Sequence, residues 1–219
     1  MAHSLSGIDQ VVWGVADLAA AEAVLARLGF APSLRFAQGG LKLALAPPAG
    51  LCGITLGSRD LTASRAALGL EDDILPAEAT PGLRVGLRQA ETLADIHPNT
   101  VIGIASVTLV VAQPERLIPA YDRLFGLFAC TPTDEMVTVH TGQGMLFLVT
   151  QDSFDHLHPQ LISAIPEPPS IAALSLTVAD LAIAESVLTA NRVKFRRGPD
   201  TLAIDPSEVF GIGVEFLAQ

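Results

Sequence analysis

A chain of 219 residues, half of them hydrophobic and 16% charged, can bury a large core. Its net charge of −10 opposes a phosphate backbone, which calls for clustered Lys and Arg, and the one basic cluster, Lys194 to Arg197, reads as a solvated strand edge. No apolar run approaches the roughly 20 residues that cross a bilayer, and Met1 to Ser4 lack the basic start of a secretory signal. The expected compartment is therefore the cytoplasm, with no nucleic acid and no membrane as partner. The two cysteines, Cys52 and Cys130, sit among apolar residues and read as small buried hydrophobes.

The chain opens on an apolar run from Ile8 to Val15, which reads as a strand. Asp17 stands where a helix N-cap belongs. Leu18, Ala21, Leu25 and Leu28 then share one helical face, with Gly29 as C-cap. Three extended runs follow, Ser33–Phe36, Leu41–Ala46 and Leu51–Leu56, parted by Gly39-Gly40 and Pro47-Pro48. Residues 1–57 thus form a β-α-β-β-β module. Residues 58–100, with a helix at Leu61–Leu68, an acidic turn at Glu71 to Asp73 and a strand at Leu83–Leu87, read as a degenerate partial module and connector.

The same order returns twice. Residues 101–150 hold a strand from Ile104, Pro114 in the first turn of a helix, Gly126 as its cap, and runs at Leu127–Cys130, Met136–Thr141 and Met145–Thr150. Residues 151–169, with Pro159, Pro166, Pro168 and Pro169, read as a linker; Asp155, His156 and His158 in it look like a metal pair but read as solvated loop residues. Residues 170–219 repeat the opening: Val-Ala-Asp-Leu-Ala recurs from Val178, with Asp180 as N-cap and Asn191 in the place of the capping glycine. Its later strands are Val193–Arg197, Thr201–Ile204 and Gly213–Leu217.

These patterns predict an α+β fold of repeated βαβββ modules, with 101–150 and 170–219 paired in one curved sheet. An odd number of complete modules leaves one curved sheet without an evident cover, so a homodimer is expected. The rival cover is the strand at Leu83–Leu87.

At the openings Gly7 to Val12 and Val15 to Leu18, the stretches His97 to Thr100, Ile104 to Val111 and Tyr121 to Gly126, and the close Pro206 to Leu217, the sequence resembles the glyoxalase-like branch of the vicinal oxygen chelate superfamily. The resemblance covers nearly the whole chain through soft patterns. It implies paired βαβββ units curled into cup-like mixed sheets around a divalent metal, held by His or Gln in each first strand and Glu in each last strand. Carried over by position, those places hold Gln10, Ser106 and Ala173 in the first strands, and Thr55, Phe147 and Glu215 in the last. Gln10 and Glu215 can coordinate; Ala173 and Phe147 cannot. A closed site needs three or four ligands, so the usual metal site is read as degenerate and no cofactor is expected.

The pocket candidates are then Gln10, Trp13, Thr55, His97, Ser106, His140, Phe147 and Glu215. Gln10 offers an amide to a ligand or sits as a satisfied core group. Glu215 lies in an apolar strand, His97 at a restrained His-Pro step, and His140 on whichever strand face the fold selects. The expected function is a cup binding a small metabolite or drug-like molecule. The alternative is a metal-dependent lyase, isomerase or ring-cleaving dioxygenase using Gln10, Glu215 and His97 or His140. Whether the protein is an enzyme stays open, as does a third reading, an assembly module whose cup has filled with side chains.

Overall fold

The computed structural model describes residues 5–46, 50–91, 95–161 and 167–219. Met1 to Ser4, the Pro47-Pro48 turn and Pro166 lie outside these. In chain order the elements are β1 (Leu5–Val15), α1 (Leu18–Arg27), β2 (Arg35–Phe36), β3 (Gly39–Leu45), β4 (Gly50–Ser58), α2 (Leu61–Leu68) and β5 (Val85–Gln89). Then come β6 (Val101–Val110), a 3-10 turn at Pro114–Leu117, α3 (Ile118–Phe125), β7 (Cys130–Pro132), β8 (Met136–His140), β9 (Met145–Val149) and α4 (Gln151–Leu157). The chain closes with β10 (Ser170–Val178), α5 (Leu181–Ala190), β11 (Phe195–Arg197), β12 (Thr201–Ile204), a 3-10 turn at Pro206–Glu208 and β13 (Gly213–Ala218).

The caps are where sequence chemistry put them. Asp17 Oδ1 accepts from the Ala20 N–H at 3.1 Å, and Asp180 Oδ1 accepts from Ala182 and Ile183 at 2.9 and 3.0 Å. Each such cap is worth about 1 kcal/mol. Helix α1 ends in a Schellman motif: Gly29 N–H bonds Ala26 O and Phe30 N–H bonds Leu25 O, with Gly29 at φ +88°. Helix α5 repeats those bonds from Arg192 to Thr189 O and from Val193 to Leu188 O. There the left-handed residue is Arg192 at φ +54°, not Asn191, which sits one place earlier at φ −86°.

The C-terminal half is one continuous curved sheet. Antiparallel β6 and β10 join at its centre, with Ser106 opposite Ser175. Each carries its unit's last strand in parallel, β9 beside β6 and β13 beside β10, and the hairpin partners lie outside. Modules 101–150 and 170–219 therefore pair as expected.

The N-terminal half has the predicted strands in chain order but a different pairing. The parallel neighbour of β1 is β3, and β4 runs antiparallel to β1. Strand β4 thus takes toward β1 the place that β10 takes toward β6, and carries β5 in parallel on its other side. Thr55, placed by sequence in a last strand, instead faces Gln10 across two central antiparallel strands. Strand order along the chain does not distinguish these roles, because both arrangements place three strands after α1; the pairing does. The halves join where β4 meets β10 at Ile171–Leu51. The strand expected at Leu83–Leu87 is β5, which extends the sheet beside β4.

The period-2 alternation of the strands sets the core. Val11, Trp13 and Val15 of β1, Ile54 and Leu56 of β4, and Val85 and Leu87 of β5 turn inward with Ile8, Leu25 and Leu28. Among the described residues no helix is long and apolar enough to cross a membrane.

Candidate functional site

Two concave faces result, and they differ. The N-terminal one is open. Residues alternating with the core set, Gln10 and Val12 on β1, Lys42 and Ala44 on β3, Thr55 on β4, and Gly86 and Arg88 on β5, line a groove of about 790 Å³. Two transverse rows cross it. Gln10, Thr55 and Gly86 form one, and Lys42, Val12 and Gly53 the other. Ile74 bridges to Gly86 and contributes an apolar wall, 46% exposed.

Gly53 has a specific task. A Cβ there would lie 2.4 Å from Arg84 O, the oxygen that accepts the Ile54 N–H at 3.0 Å. Its absence lets the Arg84 backbone close on β4, which brings Arg84 into the groove's lining. Arg88 is engaged by Asp9 at 3.2 Å and Glu91 at 2.5 Å, and Asp73 by Arg65 at 3.5 Å.

The C-terminal cup is filled. Helix α4 and the turn after it lay Phe154, His158 and Leu161 on the concave face, where they pack with Val110, Val149, Ala173 and Ala203, and Phe147 beside them. His158 Nδ1 is 2.8 Å from Glu215 Oε2, Ser175 Oγ donates to the same oxygen at 3.1 Å, and His158 Nε2 is 2.8 Å from Thr108 Oγ1. All four side chains are buried. The assignment that satisfies every partner puts the ring proton on Nδ1, donating to the carboxylate, with Nε2 accepting the Thr108 hydroxyl proton.

Within the segment read as a linker, Gln151–Leu157 is a helix, and His158 after it is a buried plug residue. Phe154, Leu157, His158 and Leu161 follow i, i+3, i+4, i+7 spacing, a signal that Pro159 obscured.

The sequence candidates separate into three places. Gln10 and Thr55 share the open groove. Ser106, Phe147 and Glu215 lie in the filled cup, and His140 stands exposed on its outer strand, 3.2 Å from Thr131 Oγ1. Trp13 and His97 line neither face. Trp13 is 1% exposed with its indole N–H unpartnered, because inward alternation on β1 sends it to the core. His97 is packed against Phe30 and Phe36; its Nδ1 accepts from Ala31 N–H and its Nε2 faces Arg35 O, each at 2.8 Å. Both nitrogens are used to hold the α1–β2 connection, so this imidazole is neither a rim ligand nor a base. Lys42 and Arg84 were not singled out by sequence, and His158, read there as a solvated loop residue, is 3% exposed.

A divalent metal, which this kind of fold implies, does not fit either face. In the filled cup the imidazole and the carboxylate bond each other, and the remaining donors are neutral hydroxyls. In the open groove the uncharged donors are an amide and a hydroxyl, and Asp73 is paired. Among the described residues no three His, Cys, Asp or Glu side chains are placed to hold an ion.

By sequence the chain matches no family model and no curated protein. By structure it is similar to the Mn(II)-bound glyoxalase from Novosphingobium aromaticivorans: 14% identity, TM-score 0.64, covering 99% of this chain and 83% of that one. It is also similar to a variant of homoprotocatechuate 2,3-dioxygenase from Brevibacterium fuscum (15%, 0.66, covering 100% and 72%). A mutant of 4-hydroxymandelate synthase from Streptomyces coelicolor is a third likeness (15%, 0.56, covering 98% and 92%). These likenesses, together with the repeated units and their paired curved sheets, show that the chain has the vicinal oxygen chelate fold.

Proposed function

We propose that this protein binds a small organic molecule in the open N-terminal groove and uses its C-terminal cup for internal support. One contrast carries the reading: the same kind of concave sheet face is packed shut by Phe154, His158 and Leu161 in one half and left hollow in the other. A concavity of about 790 Å³, lined in similar measure by apolar and by polar or charged groups, has the size of a ligand site. Gln10 and Thr55, side by side on its floor, supply an amide and a hydroxyl for orientation.

The test is a thermal-shift screen of small metabolites against the protein and its Val12→Trp variant. Val12 faces the groove, so an indole there fills it without entering the core. Ligands that bind the native state should raise the melting temperature of the parent by mass action and leave the variant unmoved. Hits that shift both equally would place binding elsewhere and sink the reading.

A second reading, a metal-dependent enzyme, is favoured by the Mn(II)-bound and dioxygenase neighbours and stands against the mutual bonding of Glu215 and His158. It requires both of that pair's hydrogen bonds to yield to an ion. Elemental analysis for Mn, Fe, Ni and Zn tests it: one equivalent, lost in Glu215→Gln, would support it over the groove.

A further inference from the structure

Deepening the groove reading, on which it rests, we propose that the ligand is an organic anion, an apolar body bearing one carboxylate, clamped between Lys42 and Arg84. The two cations end one transverse row of the sheet. Lys42 on β3 is beside Val12, Val12 is beside Gly53, and the Arg84 backbone closes on Gly53 and Ile54. At about 4.8 Å per strand, three steps separate their backbones by about 14 Å. Both side chains belong to the groove's lining, and each is long and flexible enough to swing from its end of the row toward one anionic group seated over Val12 and Gly53.

The charge inventory of the groove points the same way. Its charged lining is Lys42, Arg84, Arg88 and Asp73. Arg88 is held by Asp9 and Glu91, and Asp73 by Arg65. Among the described residues neither Lys42 nor Arg84 has an ion-pair partner, in a chain whose net charge is −10. Acidic chains do not lack carboxylates to pair with, so two unpaired cations facing one hollow leave it locally positive. The walls between them are apolar (Val12, Ala44, Leu45, Ile74), which suits a hydrocarbon body. Gln10 and Thr55 in the next row add neutral hydrogen bonds. A planar guanidinium takes a carboxylate by two parallel N–H donations, with the ammonium as a second point charge.

The experiment compares charged and neutral probes of equal shape: benzoate with benzamide, and hexanoate with hexanamide. Binding is followed by amide chemical shifts, which report both affinity and place. We expect saturable shifts at Val12, Gly53, Thr55 and Gly86 with the two carboxylates, and at least tenfold weaker binding of the two amides. The double variant Lys42→Met/Arg84→Met should lose at least tenfold for carboxylates. Lys42→Arg should retain binding, and Lys194→Met, outside the groove, should not change it. Lys42 and Arg84 are exposed, and a dispersed spectrum of the double variant confirms its fold. Equal binding of amides and carboxylates at the same residues would overturn the anion and keep the groove. Undiminished carboxylate binding by the double variant would do the same. No saturable shift in the groove with any of the four probes at tens of millimolar would overturn both.

Discussion

His158 and Glu215 stand 57 residues apart in sequence and meet at 2.8 Å inside the C-terminal cup, with side-chain exposures of only 3% and 8%. The pair ties the plug to the last strand at the place where the fold's chemistry would otherwise need a hollow. Ser175 and Thr108 complete the contacts, so every buried polar group of the cluster has a partner.

Removing both members should therefore cost less than the sum of the two single removals. His158→Leu leaves Glu215 a buried carboxylate with one hydroxyl donor, and Glu215→Leu leaves the imidazole with Thr108 alone. Each is expected to lower unfolding free energy by about 3 kcal/mol. The double variant should recover at least about 1 kcal/mol relative to the sum. Urea denaturation of the four proteins closes the cycle, and strict additivity would show that the pair is not coupled.

The two Schellman turns give a matched test of backbone strain. Gly29 sits at φ +88°, and a Cβ there would come 2.7 Å from Val187 Cγ1 and 3.0 Å from Asn99 Cβ. Gly29→Ala should cost about 1–3 kcal/mol, through both the left-handed backbone and the clash with α5. Arg192, exposed, holds the equivalent turn after α5 at φ +54°. Arg192→Gly should therefore be neutral or stabilising by up to about 1 kcal/mol. The same sign for both changes in urea titrations would refute the equivalence of the turns.

What the sequence disclosed follows the range of the interactions involved. The caps at Asp17 and Asp180 and helix α2 were legible because they depend on neighbours within a few residues. The repeat marked which strands belong to 170–219, and helical spacing put Ala21, Leu25 and Leu28 on one buried face, with Leu18 at its exposed margin. Strand partners in the N-terminal half were not legible: β3 and β4 both follow α1, and only tertiary pairing decides which lies parallel to β1. Of the site, Gln10 and Thr55 were named as candidates and share the open groove, though Thr55 was assigned to a last strand and stands on a central one; Glu215 lies in the other, filled cup. Lys42 was hidden in an unremarkable Leu-Lys-Leu alternation. Arg84 matters only because Gly53, far away in sequence, lets its backbone approach.

The last prediction concerns alkaline pH. Tyr121 of α3 is fully buried, and its hydroxyl has no hydrogen-bond partner. Burial, and secondarily the nearby Cys130, raises its pKa above the usual phenol value. Burial also pushes the Cys130 thiol up to about 12, helped by its neighbour Asp122, whose carboxylate accepts the Cys130 N–H at 2.9 Å. Both groups are acids whose native pKa exceeds the unfolded one. Above pH about 9 the unfolded chain therefore releases protons that the native chain keeps. Their contribution to stability is fully present below pH about 9 and is lost as pH rises through the native values. The protein should hold constant stability across neutral pH and weaken steadily from pH about 9 upward. Tyr121→Phe removes an unpartnered buried hydroxyl, so at pH 7 it should be neutral or stabilising by about 1 kcal/mol. Combined with Cys130→Ala, which keeps the backbone N–H bonded to Asp122, it should flatten the decline between pH 9 and 11. Urea titrations at half-unit steps from pH 7 to 11 read both effects. A parent whose stability does not fall above pH 9, or a double variant that falls as steeply, would mean that these two groups do not govern the alkaline limb.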